Sequence, residues 1–157
     1  MDFRIHGLSA TPFTQYYGLS RSALAAHNII RYHCDQHPGF PDRIELRDAL
    51  PGETLLLLNH VCQPAQTPYR ASHAIFVREG ATRTWDRINT IPPVMKNRIM
   101  SLRAFDSNGM MLDADIAEGE TEIRKIINRF FNQELVNTIH AHNAKQGCFA
   151  ACIERAD

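Results

Sequence analysis

The sequence predicts an α+β domain: a mostly antiparallel, strongly curved sheet or partial barrel, with two short N-terminal helices and one amphipathic C-terminal helix. Three observations predict it. Apolar residues alternate with polar ones in several short runs, which is strand spacing. The turn signals Pro38-Gly39, Pro51-Gly52 and Asn108-Gly109 separate those runs at short intervals. One segment alone has a long helical period: Ile123, Ile126, Ile127, Phe130 and Phe131 fall at i, i+3, i+4, i+7 and i+8.

Taken in order, Phe3-Arg4-Ile5 is a short opening strand. Thr11-Pro12 supplies an N-cap and first helical residue, and Gly18 a stop, which predicts a two-turn helix with Phe13, Tyr16 and Tyr17 inward. Ser20 caps a second short helix through Leu24 and Ala26. From Ile30 the period becomes two, with Ile30, Tyr32 and Cys34 facing in. Residues 37–41 form a loop. A strand follows with Ile44 and Leu46 inward and Arg43, Glu45 and Arg47 outward. Leu55 to Leu58 is a continuous apolar run, read as a central strand covered on both faces, with a buried helix as the alternative. Residues 62–73 are a polar loop leading into the strand Ala74–Val77, and Gly80 to Pro93 is a loop carrying Trp85. Ile99–Phe105 and Met110–Ile116 flank Asp106-Ser107-Asn108-Gly109, a hairpin turn. After the amphipathic helix, strands Leu135–His142 and Cys148–Glu154 close the chain.

The totals bound the function. A chain of 157 residues fits one domain, residues 1–157, and 44% hydrophobic content suffices for a core without staples. Lys+Arg and Asp+Glu both number 17, so the basic surplus expected of a nucleic-acid binder is missing. No apolar run reaches the roughly 20 residues that span a bilayer, and the first residues lack a signal-peptide pattern. Cys34, Cys62, Cys148 and Cys152 form no CxxC pair, so reduced thiols in a cytoplasmic protein are expected.

Several segments in order resemble a known family. They are Pro38-Gly39-Phe40-Pro41, Leu46-Arg47-Asp48-Ala49 with Pro51-Gly52-Glu53, Pro68-Tyr69-Arg70-Ala71-Ser72, Ser101-Leu102-Arg103-Ala104-Phe105-Asp106, and His140-Ala141-His142-Asn143 with Gly147-Cys148-Phe149-Ala150. Together they are similar to a bacterial family of small conserved proteins known as a domain of unknown function (number twelve hundred and three). The likeness spans nearly the whole chain. It implies a bacterial single-domain protein and carries no activity with it. That family often has Cys directly after the proline, where this chain has Asp42, so a mechanism needing a thiol there does not carry over.

Three segments could hold chemistry. On a strand, His140 and His142 share a face about 7 Å apart, close enough to converge on one divalent metal, with His60, His73 or an acid as a third ligand. If residues 143–147 form the hairpin loop, His142 pairs with Cys148, His140 with Ala150 and Thr138 with Cys152. Ile139, Ala141, Phe149, Ala151 and Ile153 then face the core. A loop one residue shorter breaks that alignment. A solvated outer face is the plainer account of the two histidines. Second, Cys148 could be a thiol nucleophile beside a histidine, although a strand cysteine is more often packing. Third, Tyr69, Arg70, Ser72 and His73 crowd one loop, where Arg70 could clamp a carboxylate or phosphate, or simply pair with a structural acid.

The expectation is a small-molecule-binding or enzymatic domain. Its site would join the 68–73 loop to the 140–143 segment, with Asn143 and Cys148 at its edge. A bound divalent metal is conceivable and not favoured. The alternative is a non-catalytic homodimer built through a terminal strand.

Overall fold

The computed structural model describes residues 1–156. It contains mostly antiparallel sheets with few helices, and the sheet is not closed. Two open sheets replace the single curled one expected from sequence. The larger has the order β5-β1-β9-β8-β6-β7 and the smaller β2-β3-β4. Their strands are β1 (Phe3–His6), β2 (Ile30–His33), β3 (Thr54–Gln63), β4 (Ala71–Arg78), β5 (Asp86–Ile88), β6 (Ile99–Phe105), β7 (Met111–Glu118), β8 (Thr138–Asn143) and β9 (Phe149–Arg155). Among the described residues no helix is long and apolar enough to cross a membrane.

One helix covers the larger sheet. In α3 (Gly119–Phe131), Ile123, Ile126, Ile127, Phe130 and Phe131 are buried, as an apolar stripe at helical spacing requires. They pack on Met100, Leu102 and Ala104 of β6, Ile139 and Ala141 of β8, and Ala151 and Ile153 of β9. Glu120 and Glu122 occupy the first turn and Arg129 the last, matching the helix dipole, and Glu122 accepts the backbone N–H of Glu118 at 2.9 Å. The hairpin β6–β7 closes on Gly109, whose φ of +82° needs glycine. A Cβ there would also lie 2.4 Å from that of Ala65.

Elsewhere the sequence pattern misleads. The helix expected over 11–18 is a run of turns with one 3-10 segment, Thr14–Tyr16, too short to bury a stripe. The next helix, α1 (Arg21–Ala25), is capped by Ser20, whose hydroxyl accepts the N–H of Ala23 at 3.2 Å. Strand β5 lies in the stretch expected to be loop, and a further short helix, α2 (Pro93–Lys96), begins at the end of that stretch. Ile30 and Tyr32 are exposed on the edge strand β2, the reverse of the expected inward face, while Cys34 just beyond it is buried. β4 begins at Ala71, so Ser72 and His73 belong to a strand instead of a loop.

The largest departure is residues 42–48. No strand forms there; Asp42 and Phe76 make only an isolated bridge, and the chain turns between the two sheets. Leu8 donates to the carbonyl of Arg43 at 2.8 Å, Trp85 to that of Ile44 at 2.8 Å, and Arg43 N–H to Phe76 at 3.1 Å. Ile44 and Leu46 are fully buried, and so is Arg43, which alternation assigned to solvent. Gly7 permits the close approach, since a Cβ there would lie 2.4 Å from the Ile44 carbonyl oxygen.

Ion pairs pin the smaller sheet to its surroundings. Glu79 takes two bonds from Arg31, at 2.9 and 2.7 Å, plus one each from Gly18 and Thr54. The Arg31 bonds foremost pull its carboxyl down from 4.5 to about 2. Arg47 does the same to Glu53, also to about 2. Both folded values lie below the unfolded one, so this stability is complete above pH 4.5 and is lost as pH falls towards 2. The guanidinium-chloride midpoint is therefore expected to fall steeply across that window, and Glu79→Gln to flatten the fall. A midpoint independent of pH there would contradict these pairs.

Candidate functional site

The β8–β9 hairpin sets the site. Asn143 N–H donates to Cys148 O at 2.9 Å, which leaves residues 144–147 as the loop, one residue shorter than 143–147. His142 therefore faces Phe149, and a β-bulge at Ala150 shifts the register so that His140 faces Cys152. The expected pairings of His142 with Cys148, His140 with Ala150 and Thr138 with Cys152 do not occur. The bulge has a consequence: it moves Phe149 off the helix-covered face and onto the histidine face, while Ala151 and Ile153 stay in the core. The Phe149 ring lies 5.5 Å from His140, 5.8 Å from His142 and 6.1 Å from His60.

The smaller sheet presents His60 and His73, a directly opposed pair on β3 and β4, towards that face. His73 and His142 meet across the gap with ring centroids 5.1 Å apart; His140 and His142 are 6.4 Å apart. His140 and His142 are thus buried, at 8% and 2% exposure, and the solvated outer face does not exist. Cys62, His73 and His142 each bring a ligand atom within 4.8 Å of the other two. A second such group is His6, Cys152 and Glu154. His140, set beside His142 by strand spacing, and His60, one option for a third ligand, belong to neither. Same-face spacing along one strand aligns two rings, but convergence needs a partner from another sheet.

Burial dominates the electrostatics. It holds the His142 imidazole down to about 3, helped by Arg103 and the neighbouring histidines and opposed by the Gly147 carbonyl, which sits 3.0 Å from Nδ1. His140 is lowered to about 4 by burial and then by Arg103. His73 and His60 are also lowered, chiefly by burial. Burial pushes the Cys62 thiol up, and with Glu154 it pushes Cys152 up to about 12. Nε2 of His73 and Nδ1 of His140 are buried with no hydrogen-bond partner.

Beside this layer, β4, the 39–43 segment and the hairpin enclose a pocket of about 340 Å³. Gly39, Pro41, Arg43, His73, Asn143 and Cys148 are among its lining residues. Arg43 is 2% exposed. Its Nε donates to Phe149 O at 2.9 Å, Nη1 to Pro41 O at 2.5 Å and Nη2 to the Cys148 sulfur at 3.1 Å. Burial lowers the Arg43 pKa, and the Cys148 sulfur and Asp42 oppose that. The Asn143 amide also reaches the sulfur, at 3.4 Å, while its Oδ1 is buried without a partner. Arg98 lines the same pocket but is neutralised by Asp48, at 2.5 and 2.9 Å.

Of the residues singled out from sequence, His73, Asn143 and Cys148 meet at the pocket, and His73 and His142 meet between the sheets. Tyr69 and Arg70 are exposed in the turn before β4. Arg70 bends onto the Pro64 carbonyl, and the Tyr69 ring lies 6.5 Å from Phe105. Ser72 lies on the opposite face of β4 from His73, and is exposed. Arg43, Cys62 and Arg103 were not anticipated. The alternation around residues 43–47 is too brief to separate a strand from a turn, and no local signal marked the other two.

The fold and site define an α+β protein of two antiparallel sheets with a partly buried histidine and cysteine layer between them, His140 and His142 at its buried end, and an arginine–thiol pocket at its edge. Residues 39–155 match a family model described as "Protein of unknown function (DUF1203)", and the chain belongs to that family. No curated protein and no solved structure matches it.

Proposed function

We propose that this protein binds a small anionic molecule in the pocket beside β4, with the Cys148 thiol as the reactive group. One observation carries this: Arg43 is buried against the Cys148 sulfur, and no described carboxylate is bonded to its guanidinium. A buried cation with no carboxylate bonded to it is costly, and an incoming carboxylate or phosphate would offset that cost. Asn143 Oδ1, buried and unpartnered, would take a hydrogen bond from the same ligand. The favoured occupant is therefore an organic anion that also carries an N–H or O–H group. His73 supplies an imidazole to the same wall. The Cys148 sulfur lines the pocket and is held by the Arg43 guanidinium and the Asn143 amide, so it faces the occupant.

This function assigns the whole chain, residues 1–157, to one domain working in a bacterial cytoplasm, where a reducing environment would keep the thiol free. The terminal-strand homodimer loses its main support, because β9 lies between β1 and β8 and has no free edge.

Iodoacetamide alkylation mapped by mass spectrometry tests the proposal. Cys148 is expected to react first of the four cysteines, inorganic phosphate to slow it, and Arg43→Met to slow it about tenfold or more. Equal labelling of all four thiols, indifferent to phosphate in the native protein, would overturn it.

A further inference from the structure

We infer that Cys62, His73 and His142 form a binding site for one borderline-soft divalent metal ion, of the zinc class, held between the two sheets. The ligands come from β3, β4 and β8, so the ion would tie the smaller sheet to the larger one. This inference stands apart from the anion pocket: Cys62 and His142 do not line that pocket, and only His73 is common to both.

Geometry comes first. The three ligand atoms already lie within 4.8 Å of one another. Zinc bonds of about 2.0–2.3 Å in a tetrahedron place ligand atoms roughly 3.3–3.8 Å apart, so side-chain adjustments of about an ångström close the site. Orientation comes second. The Nδ1 of His142 sits 3.0 Å from the Gly147 carbonyl, which fixes Nδ1–H as the donor and leaves Nε2 with its lone pair free. Metal-bound histidines are held by this kind of outer contact. Third, Nε2 of His73 is buried and has no partner, in a molecule where most buried polar atoms do. A metal would satisfy it.

Ligand chemistry selects the ion. One sulfur and two imidazoles suit zinc or cobalt(II) and disfavour magnesium and calcium, which want oxygen. Arg103 acts against a cation here, and ionisation of Cys62 on binding would offset it. Three protein ligands leave one coordination position open, the pattern of a metal that meets water or a ligand. The other group, His6, Cys152 and Glu154, is less suited. All three lie on β1 and β9 within the larger sheet, so an ion there would not join the two sheets, and only one of them is an imidazole.

The test is cobalt(II) titration of chelator-stripped protein, followed by absorption. One equivalent is expected to produce a sulfur-to-cobalt charge-transfer band with tetrahedral d–d bands. Cys62→Ser should abolish the charge-transfer band and weaken zinc binding by about 100-fold or more, while Cys152→Ser keeps both. A second measurement needs no variant: zinc should protect Cys62 of the native protein from iodoacetamide and leave Cys148 labelling unchanged. The inference is overturned if the native protein gives no charge-transfer band, if the band survives Cys62→Ser, or if zinc fails to protect Cys62. Loss of Cys148 selectivity with cobalt binding intact would sink the anion pocket alone.

Discussion

Phe130→Ala is expected to lower the unfolding free energy by about 3–5 kcal/mol, the largest loss for a single core substitution here. The ring is fully buried in the layer between α3 and the larger sheet. Its loss removes a large apolar surface and leaves a cavity that Ile127, Ile139 and Leu102, each held by strand or helix pairing, cannot fill. Equilibrium unfolding in guanidinium chloride reads this as a lower midpoint with an unchanged slope. A loss under about 1.5 kcal/mol would mean that the helix face is loosely seated and collapses around the gap. Because α3 lies on the face away from the histidine layer, preferential alkylation of Cys148 should persist in the variant below its midpoint.

Asp42→Ala should cost nearly as much, about 3 kcal/mol, for a different reason. Asp42 is completely buried, and burial, the leading influence, raises its pKa. Its carboxylate accepts the backbone N–H of Glu45 at 2.5 Å and of Arg78 at 2.7 Å. Alanine leaves both donors without a partner inside the protein, and each costs about 1–3 kcal/mol. Asp42→Asn retains one carbonyl acceptor and should recover part of the loss. The two bonds hold the turn that carries Arg43 against β4, so Asp42→Ala should also erode the alkylation preference of Cys148, unlike Phe130→Ala. Unfolding curves and labelling rates on the same samples compare the two. A variant that loses under about 1 kcal/mol would show that water replaces the carboxylate.

Some elements of this fold are written into local spacing and others are not, for physical reasons. The stripe Ile123 to Phe131 was legible because a helix repeats its contact face every few residues, so burial is written into local spacing. The hairpin β6–β7 was legible because Asn108-Gly109 accepts a backbone that few other pairs do. Alternation at Ile30 and Tyr32 pointed to the wrong side, since an edge strand with one neighbour can leave apolar side chains exposed. The 11–18 segment had good helix ends but only one buried anchor, Phe13, which is too little to hold a helix of that length. The hairpin register turned on one loop residue and one bulge, and a one-residue slip exchanges the faces of a strand.

Residue types and periods alone determined a chain of strands with one long amphipathic helix, and drew attention to His73, His142, Asn143 and Cys148. Only the tertiary structure decided that Arg43 turns inward to meet Cys148, 105 positions away along the chain, and that Cys62 joins His73 against His142. The reason is one of range. Local spacing fixes which face of a strand or helix a side chain takes, but which two faces meet depends on how the sheets stack, and that is settled by burial summed over the whole molecule.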